Sequence, residues 1–286
     1  MDFFALVLVV VAAVVHATWN LLAKRVEGGR LFIWSYSAVT AVLYLPLIGW
    51  LLHERGMTLA PLTLGAILLS GFLHLGYSIC LQTGYRKADL SVVYPVARGT
   101  GPTLSVFGAI VVLGEPLTAA TLSGAALIVS GVLVIGLAGV PRHLRGPIWP
   151  GIQWGAITGI LIACYTVADG YTVRIIGLSP ILLDYFGNLI RLFALTPLAY
   201  ARRAELAAGW RGSKNIIIPV GTLVPVSYVL VLYAMTRAPV SVIAPARELS
   251  MMVGVLFGWW LLKEADIARR LVGAALIACG VVLLTF

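Results

Sequence analysis

The chain has 286 residues, 60% of them hydrophobic and 11% charged, with a mean hydropathy of +1.01. Too little polar surface remains to coat a water-soluble globule, so the composition reads as an integral membrane protein. The formal charge of +9 does not imply nucleic acid, because the basic residues stand in short clusters between apolar runs, as membrane-protein loops do.

In chain order the apolar runs are Phe3 to Leu22, Leu31 to Leu52, Leu62 to Gln82, Ser91 to Leu113 and Ala119 to Ala138. A second set covers Trp149 to Thr172, Ile181 to Ala201, Ile216 to Met235, Ser241 to Leu262 and Arg270 to Phe286. Each approaches the ~20 residues a helix needs to cross ~30 Å of hydrocarbon. They are too long and too uniformly apolar for barrel strands, which leaves helices. The N-terminus lacks a basic leader region and a cleavage site, so Asp2 to Leu22 reads as a retained first span.

Connectors are short and marked by Glu27, Gly28, Gly29 and Arg30; by Arg86, Lys87, Ala88 and Asp89; and by Gly114, Glu115 and Pro116. The Pro- and Arg-rich stretch around 140–150 reads as a linker, dividing the chain into 1–139 and 151–286. A further connector, Arg202 to Lys214, looks amphipathic at best. Cys80, Cys164 and Cys279 lie inside apolar runs without ligand or disulfide spacing and read as packing residues. No metal and no cofactor is expected.

The chain repeats itself. Ser91, Pro95, Phe107 and Gly108 recur as Ser241, Pro245, Phe257 and Gly258; after a one-residue slip, Glu115, Gly124 and the run Ala125 to Ile128 recur as Glu264, Gly273 and Ala274 to Ile277. The same register sets His16, Asn20 and Arg25 against Tyr165, Asp169 and Arg174. Five spans is an odd number, so the second half enters the membrane from the opposite side. The expected fold is an all-α membrane protein of about ten helices, two inverted five-helix repeats around a central cavity. Exchanging the conformations of the halves would turn a cavity open to one face into one open to the other.

The doubled arrangement of Ala88, Ser91 and Pro95, a helix ending in Gly114, Glu115 and Pro116, and then Gly124 to Ile128, with a second copy ending at Glu264, resembles the EamA families of the drug/metabolite transporter superfamily. The resemblance covers essentially the whole chain. It implies a ten-helix carrier whose cavity is lined mainly by helices 1, 3, 4, 6, 8 and 9 and which often exports amino acids or related metabolites; members also include nucleotide-sugar and triose-phosphate carriers. Arg98, Arg247 and Glu248 inside the fourth and ninth spans depart from the usual small or apolar lining.

A charge near the bilayer midplane costs at least ~2.5 kcal/mol on insertion scales unless it faces a cavity or a partner. Arg98, Arg247 and Glu248 are therefore expected to face inward, each cluster about one turn beyond Pro95 or Pro245. Arg98 or Arg247 would bind a substrate anion through its guanidinium fork, and Glu248 an ammonium or a coupling proton. The bland alternative is that Arg98 and Glu248, at corresponding places in the two repeats, pair to hold the bundle together.

His16 with Asn20, and Tyr165 with Asp169, are four apart and share helix faces. With His74 they are candidates for proton coupling, although Asp169 could also stand near a helix end and meet water. Trp19, Tyr77, Tyr94, Tyr165 and Tyr228 are expected to line the cavity, where their faces would hold an apolar group or an ammonium, and His74 is expected to contact substrate with them. Trp34, Tyr36, Trp50, Trp149, Trp259 and Trp260 read as interfacial belts. Asp184 and Arg191, seven apart, read as a peripheral polar stripe, and Glu115 as a capping residue. Gly124, Gly131, Gly273 and Gly280, and the pair Gly254 and Gly258, read as close helix contacts; Pro95, Gly99, Gly101 and Pro245 read as hinge positions.

No HExxH motif and no Cys and His grouping points to an enzyme, and a mixed Arg and Glu centre suits a saturable site better than a one-sign channel ring. The expected function is a secondary active transporter of an amino acid, aromatic or apolar ones included, or a related zwitterion, working as an exporter in the inner (plasma) membrane. The alternative is a sugar-phosphate or nucleotide-sugar exchanger. The expected partners are the small substrate and lipid, with no nucleic acid and with a monomer sufficient. Most loop Lys and Arg residues stand opposite the termini, which would put the termini outside the cytoplasm, whereas the resemblance implies termini inside.

Overall fold

A computed structural model describes residues 1–26, 29–55, 60–137, 148–262 and 267–285. Glu27, Gly28, Glu264 and most of the expected linker fall outside the described residues, as do the side chains of Trp259 and Trp260. The first half contains α1 (Phe3–Ala23), α2 (Gly29–Arg55), α3 (Pro61–Lys87), α4 (Leu90–Leu113) and α5 (Ala119–Leu137). The second contains α6 (Ile148–Tyr171), which runs on into a π-helical turn at Thr172–Ile176, then α7 (Pro180–Ala201), α8 (Arg203–Arg237), α9 (Val240–Ala246), α10 (Leu249–Leu262) and α11 (Ile267–Leu283). Among the described residues nine segments are long and apolar enough to cross a bilayer; α11, with 17 residues, is shorter. The chain is an all-α multi-pass membrane protein.

Local chemistry sets the boundaries. The Asp2 carboxylate accepts from the Ala5 amide at 2.6 Å and caps α1. Pro61 and Pro180 open α3 and α7, where a missing N–H costs nothing. Gly114 and Gly177 end their helices in the left-handed region at φ 66° and 76°, which a side chain would resist.

Two expectations change. The connector from Arg202 to Lys214 is helical, because 203–212 is rich in Ala, Leu, Glu and Arg; it joins the eighth span through non-helical backbone at Ser213. The ninth span is not one helix but two, with Arg247 and Glu248 between α9 and α10. Pro245 has no N–H to donate there, and the chain turns tightly, the Glu248 amide donating to the Pro245 carbonyl at 2.9 Å. By contrast α4 continues through both Pro95 and Pro102.

The packing repeats when the halves are exchanged. The contact of α3 with α6 matches that of α8 with α1, α4 with α6 matches α10 with α1, and α3 with α7 matches α8 with α2. The contact of α4 with α5 matches that of α10 with α11, while α2 with α7 and α5 with α11 map onto themselves. This is the contact pattern of two repeats related by an in-plane axis.

Lipid gives helices no hydrophobic drive to associate, so close approach and buried hydrogen bonds hold the bundle. A Cβ on Gly273 would sit 2.7 Å from the Gly131 carbonyl, and one on Gly280 2.6 Å from that of Gly124. Gly131→Ala is accordingly expected to force α5 from α11 at ~1–3 kcal/mol, read as a lowered unfolding midpoint in detergent. Gly254→Ala is the control, since a Cβ there meets nothing within 4 Å and the GxxxG reading fails at that position. Against α4, a Cβ on Gly101 would lie 2.7 Å from Ile162 of α6, so this residue also serves close packing. Among the described residues side-chain hydrogen bonds join α2 to α7 and α8: Trp34 to Thr196 Oγ1 at 3.0 Å, Thr40 to the Gly221 carbonyl at 2.6 Å, Tyr44 to the Thr222 carbonyl at 2.8 Å, Tyr185 to the Ala41 carbonyl at 2.9 Å and Asn188 to the Ser37 carbonyl at 3.0 Å.

Candidate substrate site

A cavity of about 470 Å³ opens between the two repeats. Alternation of the spans puts both termini on one face, where the Met1 amino group reaches the Thr285 carbonyl at 3.5 Å. The cavity runs from mid-bundle toward the opposite face, where Ala23, Gly29, Gln82 and Tyr85 line it. On the terminal face the structure is sealed around Glu115, which is 7% exposed. Its carboxylate accepts from the Val240 and Ser241 amides at 2.6 and 2.8 Å and from the Arg174 guanidinium. The capping role expected of Glu115 is thus present, but on α9 of the other repeat. The π-helical turn carries Arg174, and Glu115 satisfies two amides that α9 leaves unpaired.

Arg98 and Glu248 meet as their repeat positions suggest, Nη2 lying 2.8 Å from Oε2. Arg98 also donates to Ser250 Oγ at 3.2 Å and lies 5.9 Å from the Tyr94 ring centre. Glu248 is 3% exposed, so its charge is committed to Arg98.

Arg247 is held differently. The break between α9 and α10 aims its guanidinium into the cavity, where it donates to Thr166 Oγ1 at 3.3 Å and to the Tyr165 hydroxyl at 3.4 Å. It lies 5.9 and 5.6 Å from the Tyr165 and Tyr228 ring centres. No carboxylate among the described residues pairs with it. A guanidinium positioned by hydroxyls and ring faces keeps its charge available to an anion.

Behind Tyr228 lies a polar triad. His74 Nε2 is 3.0 Å from Asp169 Oδ2 and 3.2 Å from the Tyr228 hydroxyl, which itself donates to the same carboxylate oxygen. His74 stacks on Tyr165 at 4.0 Å, and Tyr77 meets Tyr165 edge-on at 5.6 Å. Asp169 is fully buried at 0% exposure; it does not meet water at a helix end, because the π-helical turn carries α6 beyond it. His16 lines the cavity wall beside Trp19, their rings 4.8 Å apart, and Trp19 donates to Ser227 Oγ at 3.2 Å. Asn20 turns its amide to the His16 carbonyl at 3.0 Å.

Three further residues belong to the cavity although their sequence context suggested otherwise. Asp184 and Arg191 line it instead of forming a peripheral stripe, because Asp184, Asn188 and Arg191 share the face of α7 that packs inward. Tyr36, expected in an interfacial belt, also lines it; Trp50 and Trp149 do point outward, at 54% and 66% exposure. Helices α2 and α7 therefore join the six that the resemblance implies. Cys164 and Cys279 are exposed on the outer surface, which corrects their reading as packing residues. Among the described residues no group of His, Cys, Asp and Glu is arranged to hold a metal ion.

Comparison with known proteins agrees with this architecture. A profile of the EamA-like transporter family matches residues 3–137 and again 149–286. A solved crystal structure shares the fold with a TM-score of 0.73, covering 99% of this chain and 98% of that one at 17% identity. Comparison with curated proteins gives no match. With the family profile matched twice, across nearly the whole length, the chain belongs to the EamA-like transporter family.

Proposed function

We propose that this membrane transporter carries a small zwitterion, most simply an amino acid, exporting it across the plasma membrane by alternating access, with a monomer sufficient. The observation that carries the reading is Arg247, a guanidinium aimed into a cavity between inverted repeats with no carboxylate partner among the described residues. A substrate carboxylate fits its fork. Trp19, Tyr77, Tyr94, Tyr165 and Tyr228 surround the space beyond it, supplying faces for an aromatic or apolar side chain. Arg98 and Glu248 close the wall beside it as a pair.

His74 and Asp169, joined at 3.0 Å, carry the coupling proton in this reading. His16 is a second exchange point, and Glu248 a third whenever Arg98 releases it. The break at Pro245, with Pro95, Gly99 and Gly101 in the facing α4, is where the halves flex.

The test is counterflow in proteoliposomes preloaded with mixed unlabelled amino acids. Saturable uptake of a labelled amino acid is the expected result. Absence of exchange for every amino acid, with exchange of a sugar phosphate, would replace this reading by the phosphate exchanger, which Arg247 and Arg191 together would serve.

A further inference from the structure

Three carboxylates stand around the cavity. Glu248 is taken by Arg98 at 2.8 Å, and Asp169 is fully buried and held by His74 and Tyr228. Asp184 is the third, and it lines the cavity while keeping partial exposure. Among the described residues it has no ion pair and no hydrogen bond to its carboxylate. The charges acting on it are Arg191, two turns along the same face of α7, and Asp169, a second carboxylate. Arg191 does not close on it; its Nη2 turns instead to Asn188 Oδ1 at 3.5 Å.

A carboxylate left open in a low-dielectric wall is an unfavourable arrangement that a substrate cation beside it relieves. Asp184 also lies only about one turn from the start of α7, so it stands at the sealed, deep end of the cavity. Arg247 supplies the opposite charge from the break between α9 and α10.

Resting on the zwitterion reading above, we propose that Asp184 is the residue that receives the substrate's ammonium group, the role that sequence context would give to Glu248. The substrate's carboxylate then faces Arg247 and its ammonium faces Asp184, both in the lining of one cavity, and the cavity selects zwitterions over simple carboxylic acids. Glu248 serves to hold Arg98.

The experiment compares purified wild type with Asp184→Asn, using Asp184→Ser as a second neutral variant should the first elute as aggregate in size exclusion. Each is tested for ligand-induced thermal stabilisation by the proteinogenic amino acids and by the carboxylic acids made by removing their amino groups. Wild type is expected to bind its preferred amino acid at least about tenfold more tightly than the deaminated acid, the factor one charge-assisted hydrogen bond supplies. In the variant the two are expected to bind within about twofold of each other. A variant that keeps the wild-type preference overturns the assignment, as does one that binds neither probe. A wild type stabilised by no amino acid removes the zwitterion reading itself, and this assignment with it.

Discussion

Arg247→Ala is expected to abolish saturable zwitterion exchange, with a loss of roughly thirtyfold to more than a thousandfold in rate at limiting substrate. That range corresponds to the ~2–5 kcal/mol seen when one partner of a desolvated charge pair is removed. The residue earns this weight from its setting. Its guanidinium is held by Thr166 and Tyr165 and by two ring faces, so it is oriented before substrate arrives, and among the described residues no carboxylate forms an ion pair with it. Arg247→Lys keeps the charge but loses the fork and the stacking geometry, and is expected to weaken exchange by about tenfold through KM rather than through the maximal rate. Initial counterflow rates over a range of substrate concentrations separate the two variants.

The second large effect concerns stability. Removing one partner of the pair formed by Arg98 and Glu248 leaves an uncompensated charge in the bundle, which costs ~3–5 kcal/mol for fully buried pairs. Side-chain exposures of 14% and 4% place Arg98→Met toward the high end, because it strands the more buried Glu248, and Glu248→Met toward the low end. The double substitution Arg98→Met with Glu248→Met removes both charges together and is expected to recover most of the lost stability, since well-packed apolar replacements of ion pairs are often neutral. Denaturation midpoints in detergent for the two single variants and the double variant form the cycle that reads the coupling. Equal losses that simply add would show that the pair contributes nothing as a pair.

The repeat was the legible part of the fold, because duplication is written in residue identities such as Ser91 and Pro95 against Ser241 and Pro245. Span number is legible in the apolar runs, and the inward facing of Arg98, Arg247 and Glu248 in the cost of a charge in lipid. What remained hidden depended on helix rotation. Tyr36, Thr40 and Tyr44 recur every four residues, and Asp184, Asn188 and Arg191 follow at steps of four and three; each set draws one polar face, which in lipid must turn inward. Treating Tyr36 as an isolated belt residue and Asp184 with Arg191 as an isolated pair concealed that face. The interruption at Arg247 was partly visible in Pro245, yet Pro95 occupies the matching place in an unbroken α4. One proline therefore does not decide between a kink and a break; the surrounding contacts do. The partner of Glu115 was not readable at all, since a carboxylate at a helix end gives no sign that it will cap the start of α9 across the bundle.

If substrate binds at Arg247 in the cavity between the repeats, removing that side chain removes binding. The most direct measurement is ligand-induced thermal stabilisation of the purified protein across a panel of amino acids and phosphorylated metabolites, with wild type and Arg247→Ala side by side. A ligand that binds only the folded state raises stability by RT ln(1 + [L]/Kd), about 2.7 kcal/mol at a hundredfold excess over Kd. The predicted result is stabilisation of wild type by one or more zwitterions that vanishes in Arg247→Ala while the unliganded melting temperature is little changed. Equal stabilisation of both proteins by the same zwitterion would contradict it and move the substrate site elsewhere.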